Sequence, residues 1–224
     1  MKWLKKNRAW LIPILLFGLL APWTPYLDLE ISRYFYKGNG QFVSNQFTDV
    51  MYNYGILPAD IIVGMALCLF IGSYIFQAWK KWRSASLALV LTLAIGSGLI
   101  VHAMLKDHWG RPRPKQVIEF GGRQAFRPFY YPNFFHQPEP SKSFSCGHCT
   151  MGFYFFALIL LGKKEGNRFL FISGVILTLL LGGLLSLTRI MQGGHFFSDV
   201  LASALVMWLT ALACVRWCYS FSSH

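Results

Sequence analysis

Apolar residues run along this chain in long blocks separated by short polar segments, and the blocks fall roughly at residues 10–23, 57–78, 84–105, 143–162, 169–186 and 196–216. At about 1.5 Å of rise per residue, most of them are long enough to cross a hydrocarbon core of about 30 Å as helices. The pattern predicts an all-α integral membrane protein of about six transmembrane helices, with residues 1–224 forming one membrane-embedded domain. The first block follows Lys2, Lys5, Lys6 and Arg8 and so also has the outline of a signal peptide. No A-x-A cleavage site follows it, and Pro22 comes directly after Ala21, which favours a retained helix.

Two segments break this rhythm. Residues 28–37 interleave Asp28, Glu30, Arg33 and Lys37 with Leu29, Ile31, Tyr34 and Phe35, the pattern of a short interfacial helix or of a solvated loop. No chemistry attaches to either reading. Residues 115–142 mix Arg123, Arg127 and Lys142 with Phe120, Phe126, Phe129, Tyr130, Tyr131, Phe134 and Phe135. Aromatics of this kind form a belt at headgroup level, and the same composition suits a lid over an amphiphilic substrate.

Composition agrees with a membrane protein: 54% of residues are hydrophobic and only 13% charged, against about 25% charged in soluble domains. A net charge of +12 would suit a nucleic-acid partner, but the basic residues are scattered over short loops and form no single soluble face. The phospholipid bilayer explains them better. With the N-terminus in the cytoplasm, Lys80, Lys81, Arg83, Lys163, Lys164, Arg168 and Arg216 lie there in short connections, as the positive-inside rule expects. The opposite side holds nearly as many cations, spread mainly over two longer loops. Segment 106–148 then joins the third and fourth helices and segment 189–195 the fifth and sixth, which places the polar residues at their edges on one face, the outer one.

Those residues form three clusters: Lys106 with Arg113-Pro114, Ser145-Cys146-Gly147-His148, and Thr188-Arg189 followed by His195 and Asp199. Ionisable groups at a bilayer boundary are costly and need a reason. A spacing of four puts His195 and Asp199 on one helix face, where the carboxylate can accept a hydrogen bond from one ring nitrogen and leave the other free to attack. Isolated, the pair reads equally as a helix cap. Lys106, Arg113 and Arg189 converge on the same face, and a phosphate dianion needs several fixed cations to neutralise its oxygens. Arg111 competes with Arg113 for one such role. Cys146, Gly147 and His148 precede an apolar run, so helix N-terminal amides face whatever binds there, and His148 can serve as general acid.

In order and internal spacing, Lys106-x6-Arg113-Pro114, Ser145-Cys146-Gly147-His148 and Thr188-Arg189-x5-His195-x3-Asp199 resemble the three signature motifs of the type 2 phosphatidic acid phosphatase superfamily of membrane lipid phosphatases. The resemblance covers roughly residues 85–210. It implies a nucleophilic His195 that becomes phosphorylated, an orienting Asp199, a leaving-group acid in His148, and a phosphate held by Lys106, Arg113 and Arg189. It implies no metal or other cofactor, and a membrane lipid as substrate. Ser145 stands where the family has proline, Cys146 where it has serine and Thr188 where it has serine. A cysteine is the weaker donor, so the phosphate contact at Cys146 falls to its backbone amide.

Three further readings accompany this one. The phosphorylated intermediate could pass its phosphate to a lipid hydroxyl, making a phosphotransferase. Cys146 and Cys149 also form a C-x-x-C thiol-disulfide motif, which predicts a membrane oxidoreductase but leaves the convergent cations unexplained. A transporter or lipid receptor would keep the cations and has no use for the His195–Asp199 pair. Among lipid phosphates, phosphatidic acid, phosphatidylglycerol phosphate, undecaprenyl diphosphate and lipid A all fit. The pattern WGRPRP with a later FSCGH looks most like bacterial lipid A phosphatases, which implies an inner-membrane enzyme with its site on the periplasmic face.

Overall fold

The computed structural model describes the backbone of residues 2–135 and 141–220, with side chains from residue 7 onward. The side chains of Lys2, Lys5 and Lys6, and stretch 136–140 of the aromatic loop, lie outside the described residues. The chain is mostly helical. Helix α1 (Lys2–Leu20) runs through one tight turn into α2 (Thr24–Phe35), and a two-strand hairpin, β1 (Tyr36–Gly38) and β2 (Gln41–Phe42), leads to α3 (Gln46–Tyr54) and α4 (Leu57–Gly72). Helix α5 (Arg83–Leu91) continues as a wide π-helix over Thr92–Lys106. After the long loop come α6 (Gly147–Phe153), α7 (Phe156–Glu165), α8 (Arg168–Leu177), α9 (Gly183–Met191) and α10 (Phe197–Ser220).

Among the described residues, five helical stretches are long and apolar enough to cross a membrane: Asn7–Phe35, Gln46–Gly72, Gln77–Lys106, Arg168–Met191 and Phe197–Ser220. Expected block 143–162 folds as two helices instead. Tyr154 and Phe155, both fully buried, sit at the break. The amides of Ala157 and Leu158 donate to the carbonyls of Tyr154 and Phe155, so the chain tightens by one three-residue turn and continues.

Helix α10 is central, with 61% of its apolar window buried against 6% for the first stretch. Small residues allow the close approaches that membrane helices need. A Cβ on Gly152 of α6 would lie 2.5 Å from Gly182 Cα, and one on Gly96 would lie 2.8 Å from the Met207 sulfur of α10. At one end of the bundle, Arg216 lies over the Trp10 ring and Lys164 over the Tyr219 ring. That end carries the short basic connections; the three polar clusters lie at the other.

Both expected non-membrane segments turn out more deeply integrated than their composition suggested. Residues 24–35 form one helix whose Asp28 and Ser32 are completely buried, so it is neither a solvated loop nor a purely interfacial helix. In the loop, Val117 and Phe120 join Phe196 in a small core, and Phe129 stacks on Phe144 at 5.8 Å. Tyr130, Tyr131, Phe134 and Phe135 remain exposed in the manner of a belt.

Candidate active site

Two glycine-dependent turns place the key groups. After Arg189, at the end of α9, the chain turns through Gly193 and Gly194 so that the amides of Gly194 and His195 both point at the Arg189 carbonyl. Gly193 has φ +59°, and a Cβ on Gly194 would stand 2.3 Å from a guanidinium nitrogen of Arg189. Only glycine lets the arginine fold over its own turn. Gly147 is equally required, because a Cβ there would lie 2.5 Å from Nε2 of His102. The Lys115 amide donates to the Gly193 carbonyl at 3.3 Å, joining the first cluster to the third by a backbone bond.

Arg113, Lys115 and Arg189 open onto one polar cavity of about 390 Å³, whose wall also includes Ser44, Asp49, Tyr52 and Gln192. The Nη1 of Arg189 donates to Gln192 Oε1 at 2.7 Å, while its buried Nε has no partner. A buried donor without an acceptor is rare and calls for one. Half-buried His148 stacks on Tyr52, and Lys106 lies close enough to Arg113 and Arg189 to feel both charges. A larger apolar groove of about 430 Å³ between α1 and α10 has almost no polar surface and offers no chemistry.

His195 is 2% exposed behind the cavity. Its Nδ1 lies 2.6 Å from the Ser143 carbonyl, and because a carbonyl only accepts, Nδ1 carries the hydrogen and Nε2 keeps its lone pair. The direct bond from His195 Nδ1 to Asp199 that the spacing suggests is not made: Asp199 Oδ2 is 3.7 Å away, beyond hydrogen-bond range. That oxygen instead accepts from Ser143 Oγ at 2.6 Å and from the Phe196 amide at 2.9 Å. Asp199 thus fixes the segment that fixes the histidine. Burial pushes His195 down to about 4, with Arg189 and Arg113 adding to the effect and Asp199 opposing it. The imidazole is neutral at physiological pH.

Arg111 and Arg113 separate completely. Arg111 is 1% exposed and faces away from the cavity, donating to Asp28 Oδ2 at 2.7 Å, to Ser198 Oγ at 2.8 Å, to the Arg127 carbonyl and to Asp199 Oδ1. Of the two, Arg113 lines the polar cavity. Asp28 also accepts from the Ser198 amide at 2.8 Å and from Ser198 Oγ at 2.6 Å. A buried guanidinium between two carboxylates is satisfied at every face, which buried charge requires. Thr188 is fully buried with an unpartnered hydroxyl.

Cys146 and Cys149 are joined in a disulfide. The sulfur of Cys146 therefore has no hydrogen to donate, and the side-chain contact of the family's serine is absent. Both sulfurs are fully buried, out of reach of an attacking thiolate as a redox shuttle would need. Asp28, Tyr52, Asp49, Ser143 and Lys115 were not legible as site residues. The first three come from elements far from the motifs, Ser143 lies two residues before the second motif but reaches His195 through its carbonyl, and Lys115 was legible only as the edge of the aromatic loop.

The PAP2 superfamily model matches residues 86–222. The chain is 33% identical over 191 residues to a lipid A 4'-phosphatase of Francisella tularensis subsp. novicida (strain U112), covering 83% of each chain. It is also 31% identical over 125 residues to a lipid A 4'-phosphatase of Rhizobium leguminosarum, 54% of this chain and 51% of that one. A third, from Rhizobium etli, is 32% identical over 124 residues, 54% of this chain and 46% of that one. No solved structure matches the chain.

Proposed function

Since this chain belongs to the PAP2 superfamily and is a phosphoric monoester hydrolase of membrane lipids, we propose that its substrate is lipid A, that the 4'-phosphate is removed, and that His195 carries that phosphate as a covalent intermediate. The unpartnered Nε of Arg189, buried beside Arg113 and Lys115 in the polar cavity, carries the reading. It is a donor waiting for a phosphate oxygen.

In this mechanism Arg113, Arg189 and Lys106 take the phosphate oxygens, with Lys115 as a fourth cation at the rim. Neutral His195 directs Nε2 at phosphorus while the Ser143 carbonyl holds the opposite nitrogen. The P–N bond forms as the bond to the lipid oxygen breaks, and His148 gives that oxygen its proton. Water then attacks the phosphohistidine, returning a proton to His148, and inorganic phosphate leaves. A bound phosphate dianion favours a charged imidazole beside it, so acid and substrate arrive together. Segment 147–165 serves as the sixth crossing, and the site faces the periplasm from the inner membrane, opposite the basic connections.

Phosphate release from purified protein given lipid A, phosphatidic acid, phosphatidylglycerol phosphate and undecaprenyl diphosphate tests the substrate. Mass spectrometry of the lipid product identifies the position. Loss of the 4'-phosphate in preference to the others is expected, with no turnover by His195→Ala. Equal hydrolysis of the simpler lipids would overturn the substrate, and turnover surviving His195→Ala would overturn the mechanism.

A further inference from the structure

Tyr52 belongs to α3, upstream of residues 86–222 that the family model matches. Its ring stacks on the His148 imidazole, with centroids 4.4 Å apart and planes 18° from parallel. The same ring lies under the guanidinium of Arg189, whose Cζ is 4.8 Å from the ring centroid. One aromatic side chain thus touches one residue from the second cluster and one from the third, and it also lines the polar cavity.

Its own placement is well determined. Asn45 and Thr48 form a reciprocal capping box at the start of α3, and the Gln192 side-chain amide donates to the Thr48 carbonyl at 3.4 Å. Gln192 in turn accepts from Arg189. The helix carrying Tyr52 is tied by this chain of bonds to the arginine under which the ring lies. The face of an aromatic ring is negative, so it attracts a guanidinium at all times and an imidazolium when one forms. It also limits the planes that either group can adopt.

We infer that Tyr52 is a positioning residue of this phosphatase, holding the His148 imidazole in line with the leaving oxygen and favouring its protonated form while fixing the Arg189 guanidinium. This rests on the roles given above to His148 and Arg189. The ring face does the work, and the hydroxyl does not.

The test uses full-length protein in detergent micelles with lipid A as substrate, comparing Tyr52→Phe, Tyr52→Leu and Tyr52→Ala with His148→Ala. Tyr52→Phe should stay within about 2-fold of the parent. Tyr52→Leu, which keeps most of the bulk, should lose about 10- to 100-fold in kcat, since small misplacements of reacting groups cost that much. The alkaline limb of its kcat–pH profile should move to lower pH, because the imidazolium has lost its ring while Arg189, His195, Lys106 and His102, the other titratable groups that face it, are unchanged. If Tyr52→Ala fails to fold, Tyr52→Leu alone decides. A Tyr52→Leu protein with parental kcat and pH profile, alongside an inactive His148→Ala, would overturn this inference and leave the mechanism standing. A fully active His148→Ala would instead overturn the mechanism, and the inference with it.

Discussion

The Ser143 carbonyl, and not the Asp199 carboxylate, is the acceptor for His195: it lies 2.6 Å from Nδ1, whereas Asp199 Oδ2 lies 3.7 Å away. Asp199 holds Ser143 by its hydroxyl, anchors the Phe196 amide and neutralises Arg111. Asp199→Asn should therefore lower kcat by about 10²- to 10⁴-fold, between the cost of misplacing a reacting group and that of losing the carboxylate that holds a catalytic imidazole. Ser143→Ala keeps the carbonyl and loses only the tie to Asp199, so its loss should be much smaller. Phosphate-release kinetics of the two proteins check this order.

Acid sensitivity follows from the burial of His195. Protonation would occupy Nε2 and prevent attack, so activity falls as pH drops through the histidine's own value. That value is pushed down to about 4, below the ordinary imidazole value of about 6.5. The acid limb of kcat/KM, which reports the free enzyme, should accordingly lie well below 6.5. A limb at 6.5 would show that His195 is solvated.

Arg111 and Arg113, two residues apart, should fail in different ways. Asp28→Ala strands part of the Arg111 charge in the interior, and leaving a buried ion without its partner costs about 3–5 kcal/mol. Thermal unfolding in detergent should show a large drop. Arg113→Ala should leave that unfolding unchanged and reduce turnover.

Geometry matters at position 189 as much as charge. Arg189 spends Nη1 on Gln192 and keeps Nε for the cavity, a division that a single ammonium cannot reproduce. Arg189→Lys should lower kcat/KM by about 10²- to 10³-fold, a loss comparable to removing one preorganised donor. Binding of the product analogue inorganic phosphate, measured by inhibition, should weaken with it.

The disulfide closes a very short loop, so a chain-entropy estimate gives it only about 2 kcal/mol. The double variant Cys146→Ser, Cys149→Ser should be modestly less stable and keep phosphatase turnover within about 10-fold. Complete loss of turnover in a folded double variant would point to chemistry at sulfur.

The site motifs were legible because each is short and its spacing survives in any fold. Lys106, Arg113, Arg189, His148 and His195 gather at one end of the bundle, as alternation of spans and loops requires. Asp28 was illegible for the opposite reason. It reaches Ser198 across 170 positions of sequence, and its local pattern of mixed charges and aromatics reads as surface. Likewise the Ser143 carbonyl has no side-chain signature at all. The interruption at Tyr154 and Phe155 leaves no signal in the sequence, because both side chains continue the hydropathy of the block.

The bond network from Asp28 and the ring of Tyr52 reach into the site from helices that lie before residues 86–222, the stretch the family model matches. A chimera grafting residues 86–222 onto the leading helices of another membrane protein would inherit every signature residue. It would also leave Arg111 short of one carboxylate and His148 without its stacking partner. The working catalytic unit is thus wider than the stretch that the family model matches, and attempts to transplant or shorten this enzyme should keep α2 and α3 with the motifs they support.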